Sequence, residues 1–120
     1  MVLLTMLALL GFSPQTVFPI EQHEFREQTA SYTIKIKYPE IAQAPHFNAA
    51  VHQIVSPLVS NFENGMRESP DDGPPGELDG SYTVATLKSG IVSVLLEWSE
   101  YYPGAAHPGG GMASVNYCEL

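Results

Sequence analysis

Two periods of apolar residues divide the chain. In "SYTIKIKYP" the side chains of Tyr32, Ile34, Ile36 and Tyr38 fall on one side, and Thr33, Lys35 and Lys37 on the other. Strict alternation of β-branched and aromatic residues predicts a half-buried strand. Pro39, which lacks a ladder donor, is expected to end it. In "PHFNAAVHQIVSPLVSNFENGM" the period lengthens. Phe47, Val51, Ile54, Val55, Leu58, Phe62 and Met66 recur at three- and four-residue steps, the apolar stripe of a helix. Asn48 is expected to cap its start and Gly65 to close its end. Pro57 lies inside the stripe and removes one backbone hydrogen bond, so a kink or two short helices are expected there.

"ESPDDGPPGELDG" reads as a loop by composition. Its Asp71, Asp72, Glu77 and Asp79 do not have the alternating ligands and sixth-position glycine of a calcium loop, so a solvated acidic loop is the plainer reading. The alternating run "SYTVATLKSGIVSVLLEWSEYY" then predicts a hairpin, with Lys88-Ser89-Gly90 as its turn. Val92, Val94, Leu96 and Trp98 share one face of the second arm. "MASVNYCEL" starts a further strand. The expected fold is α+β: a mostly antiparallel sheet in β-α-β-β-β order with one helix packed on one face. Tyr32, Ile34, Ile36, Val51, Ile54, Leu58, Phe62, Val92, Val94 and Leu96 are the expected core.

Residues 16–30 are polar and acidic and read as a linker, although Val17, Phe18, Ile20 and Phe25 are able to dock. Before them, residues 1–15 open with an apolar run from Met1 to Leu10. That run is too short to span a bilayer, which takes roughly 20 apolar residues. Its length suits a secretory signal, but no Lys or Arg precedes it and no clear small-x-small cleavage site follows. A buried first strand or helix is the alternative. If the signal stays uncleaved, it is the only expected membrane attachment. A single cysteine, Cys118, leaves no intramolecular disulfide.

Charge narrows the partners. At 120 residues and net −8, the chain is a single domain with few cations: Arg26, Lys35, Lys37, Arg67 and Lys88, spread along the sequence. Nucleic-acid binding needs clustered cations to displace counterions, and is set aside. The stretch "EWSEYYPGAAHPGGGMASVNY" holds the candidate chemistry. His107 is open to three readings: metal ligand, general base, or a histidine whose ring nitrogens bond the backbone of a tight turn. His23, His46 and His52 supply no paired metal-ligand spacing, and no catalytic partner is marked by the sequence, so the third reading is the plainest. Trp98, Tyr101, Tyr102, Asn116 and Tyr117 join His107 as candidate ligand-binding residues. Aromatic rings at a strand end stack on sugars or anchor interfaces, and more often cap a core. No catalytic residue, metal site or cofactor is assigned.

Taken together, "YTIKIKYPEI", "FNAAVHQIV", "SYTVATLKSGIVSVLLEWSEYY", "GAAHP" and "VNY" resemble a bacterial extracytoplasmic domain. It precedes the catalytic domain in PdaC-type peptidoglycan deacetylases and forms part of the exported region of RsiV-type anti-sigma factors. The resemblance runs from Ser31 to Tyr117. Gly104-Ala105 stands where two glycines are expected, and residues 31–120 read as an incomplete version of the module. The resemblance implies a non-catalytic binding or scaffolding domain, secreted or at the cell envelope. An envelope glycan, or a basic secreted protein such as a lysozyme, is the implied partner. The alternatives are the accessory N-terminal region of a polysaccharide deacetylase and a small metal-dependent hydrolase using His107.

Overall fold

The computed structural model describes residues 19–69, 73–105 and 108–118. The stretch read as a signal, Asp71, Asp72 and His107 lie outside the described residues. Six elements follow one another: β1 (Glu21–Gln28), β2 (Tyr32–Glu40), α1 (Pro45–Arg67), β3 (Gly76–Lys88), β4 (Ile91–Tyr101) and β5 (Gly109–Cys118). The strands lie in one sheet in chain order. Three ladders are antiparallel and β2–β3 is parallel. A parallel neighbour cannot be reached through a tight turn, so the chain crosses over through α1.

The α+β class and the mostly antiparallel sheet stand as expected, with one strand added at the start. The expected linker is, from Glu21 to Gln28, the edge strand β1. Its alternation is hard to see because an edge strand is rich in charge and little of it is covered. The loop is corrected as well. Gly76 to Gly80 belong to β3, where Gly76, Leu78 and Gly80 point inward and Glu77 and Asp79 outward. Two of the three inward positions are glycine, which erases the hydrophobic half of the period. A Cβ at Gly80 would lie 3.2 Å from Ile36 Cγ2, and one at Gly76 would collide with Met66.

Alternate residues of β2 and β4 build the core with α1. Ile34, Ile36, Leu78, Val92, Val94, Leu96 and Val115 from the sheet meet Phe47, Val51, Val55 and Phe62 from the helix. Tyr32, Ile54 and Leu58, expected in the core, are half-buried against it. The helix runs unbroken through Pro57, whose ring sits on its exposed side.

Neither expected cap is a cap. The helix starts at Pro45 after Ala44, which makes no side-chain capping bond. Asn48 lies within the first turns. Its Oδ1 accepts from the Ile41 N–H at 2.8 Å, and its Nδ2 donates to the Ile41 carbonyl at 2.7 Å. Gly65 lies inside the last turn, where a Cβ would come within 2.6 Å of the Tyr102 ring.

The hairpin turn falls at Ser89-Gly90, with Gly90 at φ 75°, a conformation that costs glycine little. Pairing of β2 with β3 stops at Ile36 and Gly80. Beyond that level β2 keeps only β1, and β3 keeps only β4. On the sheet face away from α1, the cations are less scattered than their sequence positions suggest. Arg26 pairs directly with Lys35, and Lys37 with Glu24. Asp79 flanks Lys35 on the other side, so the three cations are interleaved with carboxylates.

Candidate functional site: a groove between the first strand and the helix

Strand β1 turns His23, Phe25 and Glu27 toward the helix side, opposite Tyr38, Ile36 and Ile34 of β2. The flank of α1 facing them carries His52, Val55, Ser56, Val59 and Ser60, a stripe at helical spacing. Between the two runs a cleft of about 250 Å³, bounded by these five residues with Phe25 and Tyr38. Phe25 is 37% exposed although it pairs with a core residue. Among the described residues no further strand covers β1, and α1 packs on β2, β3 and β5 rather than closing on it.

The rings form a row. His23 stacks on Tyr38 at 5.9 Å between centroids, and Tyr38 meets His52 edge-on at 5.4 Å. His23 Nε2 lies 2.8 Å from Glu40 Oε1 and 3.4 Å from Glu21 Oε1, so the imidazole is held at this end of the groove by two carboxylates. Beyond the other end, Tyr32 donates its hydroxyl to Glu27 Oε2 at 3.2 Å. Partial burial, the bond to Glu27 and the negative charges of Glu27 and Glu63 all raise the Tyr32 pKa. Glu63 of α1 is also raised, chiefly by its hydrogen bond to Glu27, with desolvation adding and Arg67 opposing. The groove therefore offers aromatic faces along its floor and acceptors at both ends.

The residues expected from sequence to form a site do not share one surface. Trp98 lies on the helix side, half-buried, its ring over Gly111, where a Cβ would come within 2.7 Å. Tyr102 packs on Phe62 at 5.2 Å beside the end of α1 and donates its hydroxyl to Glu100 at 3.3 Å. Burial, then the Glu100 charge, raises its pKa. Tyr101 pairs with Glu77 on the opposite face, as does Asn116 with Ser93. Tyr117 sits at the far end, edge-on to Phe47 at 6.2 Å. Trp98 and Tyr117 are opposite Gly111 and Val92 in the ladder, a separation of roughly 20 Å along the strands. Trp98 and Tyr102 share the helix side toward the end of β4, four residues apart in the chain. The turn after Tyr102 has Pro103 and then Gly104 at φ 92°, closed by the Ala105 N–H bonding the Tyr102 carbonyl at 3.0 Å. That is a type II pattern, in which the third position favours glycine.

Sequence reasoning missed the groove because Phe25 lay in a segment read as linker and His52 in a helix read for its core stripe. The signal was present in "HEFRE", where His23, Phe25 and Glu27 alternate with charges. Among the described residues no group of three His, Cys, Asp or Glu side chains is placed to hold a metal ion. No helix among them is long and apolar enough to cross a membrane.

Among the described residues, an open five-stranded sheet with one helix on one face makes an α+β domain. It is similar to a solved DUF3298 family protein from Pseudomonas aeruginosa, with a TM-score of 0.63 and 16% identity over 84% of this chain. A DUF3298 family member from Bacteroides fragilis is similar at a TM-score of 0.44 and 12% identity over 82% of this chain. The chain spans about half the length of each, 51% and 55%. No family model matches the sequence, and no curated protein is similar to it. At such identity the likeness is one of fold.

Proposed function

We propose that the chain is a non-catalytic binding domain of the bacterial cell envelope, and that its β1–α1 groove receives a sugar ring of an envelope glycan. The observation carrying this is the cleft lined by exposed Phe25 and His52 and half-buried Tyr38, and bordered by Ser56, Ser60 and the His23–Glu40 pair. A pyranose has apolar C–H faces and a rim of hydroxyls. It gains from stacking on rings and from acceptors at the edge. The envelope setting rests on the sequence resemblance and on the apolar start of the chain. Any deacetylase chemistry would belong to a separate domain that this module accompanies.

Titration with soluble peptidoglycan fragments and chito-oligosaccharides, followed by NMR, tests the reading. Resonances of Phe25, Tyr38 and His52 should move, and Phe25→Ala should weaken binding about tenfold, the scale of one lost stacking contact. Movement at Trp98 and Tyr102 alone would transfer the site to the β4 end. No response to either glycan would end the glycan reading.

A second reading draws on the charge around the groove. Glu21 and Glu40 lie at one end and Glu27 and Glu63 at the other, in a chain of net −8. Such a field steers a basic protein, a lysozyme among them, toward this surface. Association that slows steeply with salt and is lost in Glu21→Gln with Glu40→Gln would favour it over the glycan.

A further inference from the structure

Among the described residues the sheet has free edges on β1, on β5 and on the ends of β2 and β3 beyond Ile36 and Gly80, and they are treated differently. Strand β1 carries five ionisable residues in eight: Glu21, His23, Glu24, Arg26 and Glu27. From Ser81 onward β3 has β4 on one side only; there its register shifts between Val84 and Thr86, and Lys88 ends the strand. Charge, an edge lysine and a bulge are devices that keep an edge from pairing with another chain. Strand β5, "GGGMASVNYC", has none of them. It holds no charge and no proline, and its ladder to β4 is regular from Gly109 to Cys118. No further strand flanks it among the described residues. It also carries Met112, 65% exposed, the most exposed large apolar side chain among them.

We infer that the outer edge of β5 pairs antiparallel with the same edge of a second copy of this chain, centred on Ser114. The strand is self-complementary in that register. Its first three residues are glycine, and Val115, Asn116 and Tyr117 lie in its second half. Pairing about Ser114 sets the partner's Tyr117 opposite Gly111, the partner's Asn116 opposite Met112 and the partner's Cys118 opposite Gly110. Parallel pairing in register would put bulk on bulk and glycine on glycine. Gly111 lies beneath the Trp98 ring, so the partner's Tyr117 meets an aromatic neighbour there, the arrangement that rescues glycine in a strand. Charge agrees as well. Among the described residues the nearest carboxylates, Glu97 and Glu100, stand on β4. Two copies of β4 would be three strand spacings apart, roughly 14 Å, beyond a Debye length of about 8 Å. An isologous contact of this kind closes on itself as a dimer.

Sedimentation of the full chain from micromolar to millimolar concentration should show a monomer–dimer equilibrium. Ser114→Lys places two ammonium groups face to face on the dyad and should raise the dimer dissociation constant roughly tenfold or more, with an unchanged far-UV spectrum. In a Cys118→Ser background, Ser114→Cys should crosslink on oxidation. Asn116→Cys should not, because that residue lies about 14 Å from its own copy in this register. A monomer at every concentration would overturn the inference. So would a dimer indifferent to Ser114→Lys, or one that crosslinks through position 116 rather than 114.

Discussion

The two ends of α1 are fastened by opposite means. At its start the hold is polar: Asn48 grips both the N–H and the carbonyl of Ile41, the fully buried residue that leads from β2 toward the helix. At its end the hold is aromatic. Phe62 meets Tyr32 edge-on at 5.6 Å and Tyr102 at 5.2 Å, and Gly65 leaves space for the Tyr102 ring. Asn and Gly near helix ends ordinarily serve the helix itself. Here both serve contacts with the rest of the fold. A residue type that marks a boundary in sequence can be selected by a neighbour that is distant in sequence.

The largest effect should come from the aromatic end. Phe62→Ala removes a fully buried ring between two others and should cost about 3–5 kcal/mol, read as a lower urea midpoint. A cost below about 1 kcal/mol would mean that the three rings are not packed as a unit. At the polar end, Asn48→Ala leaves the buried Ile41 N–H without its acceptor and should cost about 2 kcal/mol. Asn48→Ser separates the two accounts of this residue. Serine is as good a helix cap as asparagine, yet too short to reach Ile41 as a two-point clamp. If serine restores full stability, the clamp is not what Asn48 contributes.

Gly65→Ala sharpens the contrast through its sign. In a solvent-facing helix the change would gain about 1 kcal/mol from propensity. Against the Tyr102 ring the added methyl overpacks, at about 1–3 kcal/mol, so a net loss of about 1 kcal/mol is expected. In a Tyr102→Leu background the obstruction is gone, and the same substitution should turn stabilising. A loss of equal size in both backgrounds would remove Tyr102 from the explanation.

How far the sequence showed this fold depended on whether each period survived in the residues that carry it. Strand β2 and the stripe of α1 were legible because both inward and outward positions followed the pattern. The inward positions of β4 were legible for the same reason. Strand β1 was not, since its single apolar residue, Phe25, sits among charges suited to an edge. The start of β3 was hidden by its inward positions Gly76 and Gly80, which lack a side chain because Met66 and Ile36 fill the space above them. The groove was less legible still. It depends on β1 and α1 lying side by side without closing, a property of the assembled sheet. The aromatic run around Trp98 drew attention by composition, but alternation sends Tyr101 to one face and Trp98 to the other.

The smallest effect expected belongs to the link between α1 and β1 at the aromatic end. Glu63 shares a hydrogen bond with Glu27, and its pKa is raised by that bond first and by desolvation second. A carboxyl raised on folding holds its proton more tightly in the native state than in the unfolded chain. Its contribution is complete below the ordinary carboxylate range and is lost as pH rises through the elevated value. Glu63→Gln keeps an N–H donor for Glu27 and has no proton to lose. The variant should therefore gain slightly on the parent as pH goes from acidic to neutral, by well under about 1 kcal/mol because the pair is largely solvated. Urea midpoints of parent and variant across that range would show the two curves separating on the neutral side. Curves that stay parallel, or separate only on the acid side, would mean that Glu63 carries no shared proton and that Glu27 is bonded to Tyr32 of β2 rather than to the helix.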